Sequence, residues 1–171
     1  IVPGADLAGL QVPGTLQGLI MARVDALSEG ARQAAQCAAV IGRDFSLRLL
    51  NSVVDSAHDL SDEIQELAER ALVSRRAGAG DLEYHFNHIL IQETIYSSLL
   101  VRRREYLHHK IAQGIEAHFK DRIEEHTAEL AFHYYESKDL DCALPYLIRA
   151  GNHAAERFAN DQALRHYRLA V

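Results

Sequence analysis

Residues Leu82–Arg104 read LEYHFNHILIQETIYSSLLVRRR, and the change of period inside that run decides the fold. Leu82, Tyr84 and Phe86 alternate as one face of a short strand. Leu90, Ile91, Ile95, Leu99 and Leu100 then line one side of a helix. Asn87 stands at the junction as a helix cap, which puts His88 in the helix's first turn. A first turn has unpaired backbone N–H groups and the positive end of the helix dipole, and so attracts anions. A neutral imidazole there can still donate one hydrogen bond. His88 therefore reads either as a local capping or packing residue or as a contact to a phosphate oxygen supplied by another domain.

Upstream of this run the spacing predicts four short helices. Pro3, Pro13 and three glycines mark residues 1–14 as a linker. Thr15 caps a first helix carrying Leu16, Leu19, Ile20, Val24 and Leu27. Ser28 caps a second, Glu29–Ile41, whose Ala31, Ala34, Ala35, Ala38 and Ala39 permit close helix approach and which Gly42 stops. Asp44 and Ser46 restart the chain into a third helix over 46–54, and Ser61 caps a fourth with Ile64, Leu67, Ala68, Ala71 and Leu72. Leu72–Arg76, the turn Ala77-Gly78-Ala79-Gly80 and Asp81–Phe86 then read as a β-hairpin. Short helices followed by a two-stranded hairpin outline a winged-helix unit, a helix-turn-helix variant.

Downstream everything is helical. Leu107, Ile111, Ile115 and Phe119 recur every four residues, and Leu130, Ala131, Tyr134 and Tyr135 share a later helix. The tail fits a tetratricopeptide template, with Gly151, Ala163, Tyr167 and Ala170 at the small, alanine, aromatic and alanine positions. Ala131, Ala143, Leu147 and Ala150 fit the same template one helix earlier, so the pairing phase stays open. The expected architecture is mainly α: linker 1–14, winged helix 15–86 with one small hairpin, helical connector 87–123, and antiparallel helical hairpins over 124–171 that begin a repeat solenoid.

With 48% hydrophobic residues in 171, the chain has enough apolar material for a core. A net charge of −6 argues against a sequence-independent nucleic-acid binder, which needs a basic surface. Cys37 and Cys142 both fall in apolar helical patterns, which predicts buried free thiols and a reducing, cytoplasmic setting. No apolar run approaches the ~20 residues that span a bilayer, and no signal segment opens the chain. The first residue is not Met and Ala170-Val171 ends inside a helical pattern, so the chain reads as a piece of a longer protein.

The motifs of catalysis are missing: no phosphate-binding loop follows Gly78 or Gly80, and there is no Gly-x-Ser-x-Gly elbow, Cys-x-x-Cys pair or His-Glu-x-x-His helix. No catalytic residue is assigned. His85/His88 and His108/His109 are the close histidine pairs, but alternation and the ~100° helical step keep each from forming a ready chelate, so no metal is expected. His58, His118, His126 and His153 read as scattered surface histidines. As a DNA reader the third helix offers only Arg48 and Asn51. Arg102, Arg103 and Arg104, with Lys110 beyond them, read as a solvated basic face or as a contact for phosphate or an acidic partner.

The order of VPGTLQGLIMARVDALSEGARQAAQCAAVIGRDFS, FNHILIQETIYSSLLVRRREYLHHKIAQGIE and AGNHAAERFANDQALRHYRLA resembles the region after the ATPase core of large bacterial STAND-type signalling ATPases. The most specific pieces are Ala22-Arg23-Val24-Asp25-Ala26-Leu27, Ala39–Phe45 and Phe86–Glu93. Many such proteins carry a class III adenylate/guanylate cyclase, kinase or transcription-regulator domain at one end and tetratricopeptide repeats at the other. The resemblance implies that the winged helix packs on an upstream ATPase domain and helps to hold its ADP-bound state. His88 resembles the histidine of the family's Met-His-Asp motif, which touches the ADP β-phosphate; Ile89 stands where that motif has Asp. ATP or ADP with Mg²⁺ would belong to the parent protein, none of it to this region. Implied partners are the upstream domain, a protein or small ligand on the repeats, and a parent that oligomerises, with no membrane and no DNA. The alternatives are a DNA-binding winged helix of a transcription regulator and a plain protein-interaction scaffold.

Overall fold

A computed structural model describes residues 14–54, 59–76 and 82–171. The chain is mainly helical and carries one small three-stranded antiparallel sheet. Of the linker assigned to residues 1–14, residues 1–13 lie outside the described residues, as do His58 and the turn assigned to residues 77–80, whereas Gly14 already opens the first helix.

Helices α1 (Gly14–Asp25) and α2 (Glu29–Ile41) come first. Ser28 starts α2, its Oγ accepting from Ala31 N at 3.2 Å. Ser28 also donates from its backbone N and its Oγ to the Glu66 carboxylate at 3.0 and 2.6 Å, which ties the start of α2 to α4. The predicted alanine face is wholly buried. Gly42 ends the helix at φ +150°, a conformation L side chains rarely adopt, and donates to Ala38 O.

Strand β1 (Asp44–Ser46) follows, where the spacing predicted only a helix start. Three residues are too few to show alternation. Ser46 also performs the predicted role, capping α3 (Leu47–Val53) by accepting from Leu49 N at 3.2 Å. The capping residue of α4 (Ser61–Glu69) is Leu60 rather than Ser61. The reason lies in Asn51, whose Nδ2 donates to Asp59 at 2.7 Å and whose Oδ1 accepts from Leu60 N at 3.1 Å. With Ser61 Oγ bonded back to Asp59, the approach to α4 is held by α3 instead of by a local cap.

Strands β2 (Val73–Arg76) and β3 (Glu83–Phe86) pair antiparallel, as the alternation predicted. The hairpin is not the whole sheet, because β1 joins the other edge of β3 in the order β1-β3-β2. Tyr84 lies between Phe45 and Arg75, and His85 between Asp44 and Ser74. Phe86, fully buried, meets the Phe45 ring at 5.6 Å. The core of this half is Leu50, Leu60, Ile64, Leu67, Leu72 and Val73 under the alanine face of α2.

Helices α5 (Ile89–Ser98) and α6 (Val101–His118) lead through a 3-10 segment, Lys120–His126, into α7 (Thr127–Glu136), α8 (Leu140–Glu156) and α9 (Asn160–Leu169). Gly114 lets α6 lie against α3, since a Cβ there would stand 2.8 Å from Ser52 Oγ and 3.2 Å from Leu49 Cδ1. Glu116 on α6 accepts from Tyr134 of α7 at 2.8 Å and from Tyr146 of α8 at 2.7 Å. Burial is continuous from Ile20 to Ala150.

In the tail α8 packs against both α7 and α9. Ala131, Ala143, Leu147 and Ala150 are buried, as are Gly151 and Ala163, with Ala170 half-buried. Both small-residue registers are thus used, and they share α8. At Gly151 a Cβ would stand 2.5 Å from the Tyr167 ring, which is held by its hydroxyl donating to Asn152 at 2.7 Å. Gly151→Ala should therefore lower stability by about 1–3 kcal/mol, and adding Tyr167→Leu should restore part of it; denaturant melts of the single and double variants give the coupling.

Candidate functional site

His88 is the cap of α5 itself, one position earlier in the helix than the sequence predicts. It has extended backbone angles (φ −142°, ψ 140°), and its Nδ1 accepts from Leu90 N at 3.3 Å. Asn87, expected to be the cap, is used elsewhere. Its Nδ2 donates to Ala71 O at 2.9 Å, its Oδ1 accepts from Ser74 Oγ at 2.5 Å, and its backbone N donates to Leu72 O. These bonds fasten the end of β3 to the turn where α4 enters β2, a turn that holds Ala71 at φ +53°.

The geometry fixes the chemistry of the His88 ring. A nitrogen that accepts from a backbone N–H cannot carry a proton, so in the neutral ring the hydrogen sits on Nε2. The side chain is exposed. His88 thus presents one N–H donor at the junction of sheet and helix, suited to an oxygen acceptor on another molecule or domain. Protonating Nδ1 would remove the cap.

The basic run lies apart from this, in the first turn of α6. Arg103 stacks on Tyr106 at 5.3 Å and Arg104 on Tyr96 at 5.0 Å, and Arg102 is exposed. A groove of about 700 Å³ runs between the sheet and the 3-10 segment, lined in part by Phe45, Arg48 and Phe119. Several of its charged groups pair with one another: Arg76 with Asp44 at 3.4 Å, Arg122 with Glu125 at 3.9 Å and His126 with Glu129 at 2.9 Å.

The histidines depart from the surface assignment. His118, His126 and His153 are half-buried and each is engaged, His118 with Gly114 O, His126 with Glu129 and His153 with Glu124. His108 and His109 do diverge: His109 faces Asp139 at 3.5 Å, whereas His108 turns into the core. There its Nδ1 meets Nδ1 of His133, on α7, at 2.8 Å and its Nε2 meets Tyr96 OH at 3.1 Å. The sequence carried a signal for this pair that spacing to near neighbours does not expose, since both residues lie on the buried stripes of α6 and α7. Among the described residues no group of three or more His, Cys, Asp or Glu is placed to hold a metal ion. Cys37 is buried as predicted, but Cys142 is exposed, because the first turn of α8 puts it on the side away from Ala143 and Leu147.

Burial is the main force that pushes the His108 imidazole down to about 4, with Arg104 and Lys138 adding to it. Burial, then His108, pushes His133 down to about 3. Tyr96 rises, again chiefly through burial, with Glu136 adding and Arg104 opposing.

One curated protein similar to this chain is from Rhizobium meliloti (strain 1021) and is described as an uncharacterized protein. It is 30% identical over 135 residues, which cover 78% of this chain and 13% of that protein. The chain thus spans a small part of this relative's length. No family model matches the chain, and no solved structure does. No helix among the described residues is long and apolar enough to cross a membrane.

The buried pair yields a pH prediction. Both rings are neutral in the fold, while the unfolded chain takes up protons near 6.5, so the unfolded state binds more protons below that pH. Stability from the pair should be intact above pH 6.5 and decline as the pH falls towards 4. Thermal midpoints measured across that window should drop for the wild type and drop less for His108→Phe/His133→Phe; equal slopes would contradict the assignment.

Proposed function

We propose that this chain is a non-catalytic regulatory and scaffolding region of a multidomain STAND-type signalling ATPase. In this reading residues 15–86 form a winged helix, 87–123 a connector and 124–171 the start of a tetratricopeptide-like array. The region couples the nucleotide state of an upstream ATPase domain to a protein or small ligand on the repeats, and through it to a cyclase or transcription-regulator effector. It acts in the cytoplasm. ATP or ADP with Mg²⁺ binds the parent's ATPase domain.

The observation that carries the reading is the position of His88. It caps the helix that leaves the central strand of the sheet, with Nδ1 committed to Leu90 and the side chain exposed. A donor fixed at that seam fits a phosphate oxygen held by a neighbouring domain. When ADP is bound upstream, this contact adds to the closed arrangement. A state lacking the contact is favoured by whatever the other ligand gains elsewhere, which is the differential interaction that a switch requires. The element order supports the winged-helix assignment, since a helix, a short strand, two helices and a hairpin give the strand order β1-β3-β2. The small fraction of the relative's length that the chain matches suits one segment of a large multidomain protein.

The DNA-binding alternative is disfavoured by the same elements. The helix before the hairpin, α4, would face the major groove, and it carries Asp62, Glu63, Glu66 and Glu69 with no basic residue. Asn51, the candidate base reader on α3, spends both ends of its amide on Asp59 and Leu60.

The test separates nucleotide contact from capping. In the full-length protein His88→Ala removes both the cap, worth about 1 kcal/mol, and the donor. His88→Ser keeps a capping oxygen and removes the imidazole Nε2–H. Both variants should release ADP at least tenfold faster than wild type, with the thermal midpoint lowered only in His88→Ala. Wild-type ADP retention in His88→Ser would leave His88 as a cap alone and overturn the sensor.

A further inference from the structure

The corner between α5 and α6 carries features that neither packing nor the proposed nucleotide switch uses. Leu100 is 80% exposed and Val101 58% exposed, and three arginines follow at once. Cations in a first turn oppose the helix dipole. Among the described residues no carboxylate pairs with Arg102, Arg103 or Arg104. Two of the guanidinium groups instead lie over tyrosine faces, Arg103 on Tyr106 and Arg104 on Tyr96. A guanidinium beside a ring still has N–H groups to donate to a carboxylate.

We propose that this corner is a docking site for an acidic protein segment that presents one aliphatic side chain beside two or more carboxylates. The aliphatic group covers Leu100 and Val101, and the carboxylates take the guanidinium groups of Arg102 and Arg103. Charge complementarity selects this occupant. Two aliphatic side chains are a slight anchor in lipid, which leaves the three arginines as the main attraction for the partner. Adjacent guanidinium groups beside an exposed apolar corner suit carboxylates and an apolar side chain on a folded or folding segment.

A random dodecapeptide library displayed on phage and selected on the full chain tests the site, with vesicles containing phosphatidylserine and a random-sequence DNA duplex as parallel probes. The enriched peptides should combine a Leu, Ile, Val or Met with at least two Asp or Glu. The best of them should bind Arg102→Glu/Arg103→Glu at least tenfold more weakly and Leu100→Ser several-fold more weakly, with thermal midpoints unchanged. No enrichment, peptides without acidic bias, affinity indifferent to the arginine variant, or tighter arginine-dependent binding to the vesicles or the duplex would each overturn the proposal.

Discussion

The buried alanine face of α2 is the constraint on which the first half of the chain and the connector depend. Five alanines give that helix a face with almost no side-chain depth, and α3, α4, α5, α6 and β1 all contact it. Helices can pack this near one another only where side chains are small, and each neighbour then supplies the larger apolar groups that fill the space between. Polar ties hold the arrangement: Ser28 bonds Glu66 of α4, and Gln92 of α5 donates to Ala39 O at 2.7 Å. The first half of the chain and the connector are thus two sides of one helix's surroundings.

Much of this could be read from residue order. The alanine face, Gly42 as a stop, Ser28 and Ser46 as caps, and the alternation of Tyr84 and Phe86 all act locally, so their spacing carries the information. What escaped had its cause far off in the chain. β1 is three residues whose strand character comes from β3, some forty positions on. Ser61 lost its capping role because Asn51 and Asp59 had already organised the turn, and Asn87 lost its own because Ala71 and Ser74 offered better partners. Displacing Asn87 made His88 the cap. The His108–His133 contact was hidden for the same reason: the buried stripes of α6 and α7 mark each residue as internal but not which residue it meets across the two helices.

His88 illustrates how a local substitution of roles acquires chemical meaning. Capping by Asn87 would have left the imidazole with either nitrogen protonated and its direction undetermined. Capping by His88 assigns the hydrogen of the neutral ring to Nε2 of an exposed side chain. The same bonds that occupy Asn87 keep the strand end from drifting, so the donor is held by β3, the α4–β2 turn and α5 together.

The two tyrosines on Glu116 join three helices at one carboxylate. Each carboxylate oxygen accepts one phenol, from α7 and from α8, and the rings stack 5.8 Å apart. Burial first, and the bond to Glu116 next, push the Tyr146 phenol up to about 12, so both phenols stay donors throughout the ordinary pH range. One carboxylate on α6 therefore fixes the rotation of α7 and α8 about their own axes as well as that of α6, so that three helices are keyed to one another at a single point.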